Sequence, residues 1–130
     1  MERHALVLID TSAWIEALRR NGNSRVRERV RGHMQEGRAV WCEIVALELW
    51  NGARGTEERR LLKRFEDSIP MLPINSSTWS KSKALARALR NDGQTVPVAD
   101  IIIAACAIEH AAEIEHHDRH FEAIFKVMRR

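Results

Sequence analysis

Four carboxylates sit where a sequence would rarely leave them without a purpose. Asp100 follows Pro97-Val98-Ala99 and opens the apolar run Ile101 to Ala107, at the mouth of what reads as a buried helix. Asp10 ends the run Leu6-Val7-Leu8-Ile9, Glu48 stands inside Ile44 to Trp50, and Asp118 follows Ile114-Glu115-His116-His117. A carboxylate in apolar surroundings is costly without a partner. If folding brings the four together, mutual repulsion drives a proton onto at least one of them unless a cation neutralises them. Carboxylates and water in near-octahedral array suit Mg²⁺, with Mn²⁺ as a substitute, and need no histidine or cysteine. Such a site can lower the pKa of an attacking water and stabilise a leaving oxygen in phosphodiester hydrolysis.

Each acid also has a purely structural reading. Asp10, Asp100 and Asp118 could be helix N-caps, and Glu48 could lie on an exposed helix stripe. All four being structural requires four independent coincidences. His116, His117 and His120 raise the possibility of zinc, but one short segment supplies all three, with no cysteine near them. On this reading His120 is a surface residue or a phosphate contact. Arg25, Arg27, Arg29 and Arg31 read as a solvated helix face or an RNA-tracking stripe, and Trp14, Trp50 and Trp79 as core or as stacking platforms.

The elements that must position these groups alternate. Ala5 to Ile9 is a short unbroken apolar run, as in a buried parallel strand. Thr11 and Ser12 offer N-caps for a helix over Ala13 to Leu18. A second helix spans about Arg25 to Gln35, with Val26, Val30 and Met34 on one face. A strand over Ala39 to Cys42 precedes the helix that carries Glu48 to Asn51-Gly52. An amphipathic helix covers Thr56 to Phe65, and Met71 to Ile74 is a weak edge strand interrupted by Pro73. Helices from Ser76 to about Leu89 and from Asp100 to about Ala112 follow. A strand near Ile114, a helix from about Arg119 and a last strand over Phe125 to Met128 complete the pattern. Strands alternating with helices predict an α/β layer fold with a mostly parallel sheet, whose ligands bind beyond the carboxyl ends of the strands.

Composition bounds the rest. At 130 residues, 45% hydrophobic and 30% charged, the chain suits one globular domain over 1–130. No apolar run is long enough to span a bilayer, and Met1-Glu2-Arg3-His4 does not begin a signal peptide, so no membrane is expected. Cys42 and Cys106 lie far apart in sequence in apolar surroundings, which fits thiols in a reducing cytoplasm. A net charge of +3 would let the surface attract a polyanion while an acidic pocket holds a cation.

Four strings together resemble the PIN-domain nucleases, especially the VapC-type toxins of toxin–antitoxin pairs. They are Leu8-Ile9-Asp10-Thr11-Ser12-Ala13-Trp14-Ile15, Ala46-Leu47-Glu48-Leu49-Trp50-Asn51-Gly52-Ala53, Pro97 to Ala105, and His117-Asp118-Arg119-His120-Phe121. The resemblance implies a PIN-like three-layer fold, a short parallel sheet flanked by helices, and a metal-dependent endoribonuclease. It places the family's acids on Asp10, Glu48, Asp100 and Asp118, the metal contacts on Asp10, Asp100 and Asp118, and a small hydroxyl that meets substrate on Thr11 or Ser12. It also implies an RNA substrate, a VapB-like antitoxin and a homodimer, with Trp14, Leu61 and Trp79 in search of cover. The chain departs from the family in two places: His120 stands where members often carry a second Asp, and Glu115-His116-His117 replaces a more apolar strand.

The alternatives from other classes fit less well. A haloacid-dehalogenase-type phosphatase wants an Asp two residues after the first, where this chain has Ser12. A receiver domain wants paired acids at that strand end and a late lysine, which Asp10-Thr11 and His116-His117 do not supply. A housekeeping PIN ribonuclease without an antitoxin, and a catalytically dead binding module, are the remaining readings.

Overall fold

The computed structural model describes residues 5–129, so the expectation placed on Met1–His4 lies outside the described residues. Three short strands, β1 (Val7–Ile9), β2 (Ala39–Val40) and β3 (Glu113–Glu115), form a sheet in the order β2-β1-β3, parallel at both junctions. Val7 pairs with Ala39 on one side and Glu113 on the other, and Ile9 pairs with Glu115. Parallel neighbours require crossovers, and six of the seven helices among the described residues provide them, the seventh following the last strand. In order these are α1 (Thr11–Leu18), α2 (Ser24–Gln35), α3 (Glu43–Gly52), α4 (Thr56–Ser68), α5 (Ser76–Asn91), α6 (Val98–Glu109) and α7 (His120–Met128). This is the expected α/β layer architecture.

Central β1 is buried along its whole length, which explains its unbroken Val-Leu-Ile composition. Trp14 of α1 and Trp41 pack on Phe65 of α4, with ring centroids 4.9 Å and 6.3 Å away. Residues 101–107 of α6 are all buried, so this helix is apolar on every side. Each large aliphatic side chain among them contributes about 1.5–3 kcal/mol on burial. Cys42 and Cys106 meet in the core as free thiols; the hydrogen bond between them, and then burial, push the Cys106 thiol up.

The structure corrects several local expectations. Phe125 to Met128 belongs to α7: Phe121, Ile124, Phe125 and Met128 repeat at helical spacing, and the first two are fully buried. The Met71 edge strand reduces to a single parallel bridge with Trp41. Met34 does not continue the buried Val26–Val30 face and is 39% exposed. Trp14 needs no cover, being 1% exposed. α6 begins at Val98, ahead of Asp100. The cap of α1 is Asp10, whose side chain accepts from the Ser12 N–H, so neither Thr11 nor Ser12 is the N-cap.

Candidate metal centre

The first acid is fixed by the sheet. Asp10 directly follows β1, and its N–H donates to the carbonyl of Glu115 at 2.9 Å, continuing the β1–β3 pairing by one residue. Its Oδ2 accepts from the backbone N–H of Ser12 at 2.9 Å and from the Ser12 hydroxyl. The cap reading of Asp10 is therefore true, and it uses one oxygen only. The other, Oδ1, is buried with no hydrogen-bond partner in a residue 2% exposed. Burial raises the Asp10 pKa above the usual carboxylate value, the Ser12 hydrogen bonds oppose the rise, and the Glu48 charge adds to it.

Asp100 lies in the first turn of α6, whose N-cap is Pro97, so Asp100 is not the N-cap. Its environment is hostile to charge. Burial, then the charges of Asp10 and Asp118, push its pKa up to about 6, against a lowering contribution from His120 and a further small rise from Glu48. A carboxyl held near 6 by burial and then by like charges is a group that a cation would stabilise in its charged form.

Glu48 reaches the site from α3, half-buried, and the Thr11 hydroxyl donates to its Oε1 at 2.6 Å. Asp118 lies in the loop between β3 and α7, three residues beyond the strand end, where its Oδ1 accepts from the His120 N–H at 2.9 Å. The Ser12 hydroxyl also accepts from the His117 N–H at 2.9 Å, tying that loop to the start of α1. Thr11 and Ser12, expected to meet substrate, thus spend their hydroxyls on Glu48, Asp10 and the loop.

The four acids act on one another at the carboxyl end of the sheet, but not as an even square. The tightest grouping is Asp100, Asp118 and His120, which offer ligand atoms all within 4.8 Å of one another. Asp10 and Glu48 stand outside that group and reach it through their charges on Asp100. The orphaned Asp10 oxygen, the raised Asp100 and this convergence fit a divalent cation held chiefly by oxygen.

His120 is the residue that sequence reasoning missed. Its Nδ1 lies 2.9 Å from Asp118 Oδ1 and 3.4 Å from Asp100 Oδ2. A histidine two positions after the last acid was the available signal. His116 instead stacks on Phe121 at 5.0 Å and accepts from the Asp118 N–H at 3.3 Å, while His117 is exposed, so the three histidines form no common zinc site. The arginine stripe is also largely committed: Arg29 pairs with Glu115, Arg27 donates to the carbonyls of Ala17 and Arg19, and Arg31 pairs with Glu28.

Comparison with known proteins agrees with this geometry. Residues 7–126 match the PIN domain family model. The chain is 36% identical over 126 residues to VapC ribonuclease Mb1587 of Mycobacterium bovis, covering 94% of this chain and 93% of that one. It is 31% identical to ribonuclease VapC21 of Mycobacterium tuberculosis, covering 80% and 78% of the two chains. Among solved structures, VapBC-1 from nontypeable Haemophilus influenzae superposes with a TM-score of 0.74 at 20% identity, covering 93% of each chain. FitAcB from Neisseria gonorrhoeae does so at 0.71 and 21%, covering 92% and 94%. With residues 7–126 matched by the family model and a relative 36% identical over 94% of this chain, the chain belongs to the PIN-domain family, with VapC ribonucleases among its relatives.

Proposed function

We propose that this protein is a metal-dependent endoribonuclease, a single PIN domain acting in the cytoplasm as the toxin of a VapBC-type toxin–antitoxin pair. The observation that carries the reading is Asp100, a carboxyl pushed up to about 6 by burial and by Asp10 and Asp118 at the mouth of an otherwise apolar helix. Asp10, Asp100 and Asp118 are assigned to hold Mg²⁺, or Mn²⁺ in its place. When bound, the ion supplies Lewis acidity towards the scissile phosphate and a lowered pKa for the attacking water. Glu48, with one oxygen held by Thr11, keeps the other for orienting that water and taking its proton. Ser12 fixes Asp10 and the loop before Asp118, so the acids are pre-positioned before substrate arrives. Thr11 and Ser12 border the path of the RNA backbone.

The partner reading rests on surface and kinship. A groove of about 490 Å³ runs between α1, α3 and α4, lined by Ile15, Leu18, Leu49, Leu61 and Leu62 with Glu48 on its wall. Ile15 and Leu18 are 41% and 42% exposed, an apolar stripe suited to an antitoxin segment whose basic residue could reach the acids. A further structural neighbour, VapBC-5 of Mycobacterium tuberculosis, is a member of the VapBC family of toxin–antitoxin systems. Trp79, 45% exposed, belongs to the surface assigned to the homodimer.

Purified protein incubated with structured RNA and total tRNA should cleave RNA with Mg²⁺ or Mn²⁺ and stop when EDTA is added. Cleavage that survives the chelator overturns the mechanism, and phosphatase activity without RNA cleavage overturns the reaction class. Co-purification with the product of a short upstream reading frame, and a dimer by light scattering, test the toxin assignment. A monomer that ignores that product leaves a housekeeping PIN ribonuclease.

A further inference from the structure

We propose that His120 is a nitrogen ligand of the cation site, making it a mixed nitrogen–oxygen centre that favours Mn²⁺ over Mg²⁺. The inference rests on the nuclease reading and specifies the ion. Nδ1 of His120 is buried and lies 2.9 Å from Asp118 Oδ1 and 3.4 Å from Asp100 Oδ2, yet makes a hydrogen bond to neither. A ring nitrogen that simply paired with a carboxylate would point its proton at it. Converging without bonding is how ligand atoms stand around a position meant for something else.

The spacing has the right scale. Neighbouring ligands on an octahedral ion bound at 2.0–2.1 Å are about 3 Å apart. The edges from Nδ1 to Asp118 Oδ1 and to Asp100 Oδ2 lie close to that length. A second, independent pointer is Asp10 Oδ1, unpartnered in a residue 2% exposed, whose charge is the second largest cause of the shift at Asp100.

The backbone holds the imidazole in place. The His120 N–H donates to Asp118 Oδ1, which fixes that oxygen beside the ring, and Phe121 and Ile124, both fully buried, anchor α7 behind it. Glu48, Asp10, Asp100 and Asp118 are the acids acting on this grouping, and no Lys or Arg charge is among the causes shifting Asp100. Carboxylate and water serve both Mg²⁺ and Mn²⁺; an added imidazole favours transition ions over Mg²⁺, and Mn²⁺, the most weakly held of that series, gains the least, so its advantage over Mg²⁺ is modest. An Asp in place of His120 would make the set all-oxygen; this chain places a softer donor there.

Electron paramagnetic resonance on the full chain loaded with Mn²⁺ alone, alongside calorimetric titrations with Mn²⁺ and Mg²⁺, decides the matter. Wild type should show a directly coordinated ¹⁴N coupling, and His120→Ala and His120→Asp should both lose it. Mn²⁺ affinity should fall about tenfold or more in His120→Ala, and His120→Asp should recover Mg²⁺ binding at the expense of the Mn²⁺ preference. Mn²⁺ bound to wild type without nitrogen coupling, or a coupling that persists in His120→Ala, overturns the inference and leaves the nuclease reading standing. If neither ion binds wild type or raises its melting temperature, the nuclease reading fails first and this one with it.

Discussion

Glu115 and Asp100 are buried to nearly the same degree, 9% and 8% exposed, near the same end of the same sheet. Their neighbours differ in sign. Glu115 takes Arg29 Nε at 3.0 Å and His33 Nε2 at 3.0 Å, both from α2, so its charge is answered within the chain. Asp100 faces Asp10, Asp118 and Glu48, with His120 the one opposing influence among the causes of its shift. Equal burial thus serves two ends. The first carboxylate clamps α2 to the sheet; the second stores unfavourable charge that an added cation would relieve. Burial alone does not mark a site; burial with unanswered charge does.

The contrast can be broken most forcefully at Asp100. Asp100→Asn should lower RNA cleavage by at least about 10²-fold while the metal-free protein gains about 2–3 kcal/mol at pH 7.5, since a neutral isostere leaves the repelling cluster. Chemical denaturation in EDTA, paired with a cleavage assay, checks both. Glu115→Gln should do the reverse: a loss of about 2–3 kcal/mol, below the 3–5 of a fully enclosed pair because Arg29 is half-exposed, with cleavage changed only a few-fold. If the two variants behave alike, the contrast is wrong.

Acid sharpens it further. The folded pKa of Asp100, about 6, lies above its unfolded value near 3.8, so the protonated form is favoured by folding. Its stabilising contribution is full below pH 3.8 and is lost as pH rises through 6. Between pH 7.5 and 4.5 the metal-free wild type should therefore gain about 2 kcal/mol relative to Asp100→Asn, read from denaturation midpoints of the two proteins side by side. The smallest effect belongs to Thr11→Val, which removes the hydroxyl holding Glu48. It should cost about 1 kcal/mol of stability and a modest part of the cleavage rate, with Mn²⁺ affinity unchanged by calorimetry; a matching fall in affinity would place Glu48 among the ligands.

Asp10 and Asp100 were legible in the sequence because a carboxylate against an apolar strand or helix contradicts its own surroundings, and that contradiction is local. Glu48 was legible for the same reason, crowded by Ala46, Leu47, Leu49 and Trp50. His120 was legible only as a position, two residues after the last acid; that its ring meets Asp100 as well as Asp118 depends on how the loop after β3 folds against α6. The misread last strand had its correction in reach: Phe121, Ile124, Phe125 and Met128 show the helical period, but a window confined to Phe125 to Met128 sees only an apolar run. At the start of α1 the sequence offers three adjacent residues of cap-forming type, Asp10, Thr11 and Ser12, and only the end of β1 decides that Asp10 is the cap, through Oδ2, with Oδ1 left unpartnered.

The sheet order β2-β1-β3 also sets a timetable. The central strand leaves the ribosome first, gains β2 early, and waits for its other neighbour until residues 113–115 have been made. Synthesis runs from the N-terminus at about 5–20 residues per second, and long-range parallel pairings are slow to close. Asp118 and His120 come later still, so a nascent or prematurely released chain that stops short of β3 carries Asp10, Glu48 and Asp100 but cannot assemble the centre. On the proposed reading, the acidic centre therefore closes only after β3 and the loop that carries Asp118 and His120 have been made.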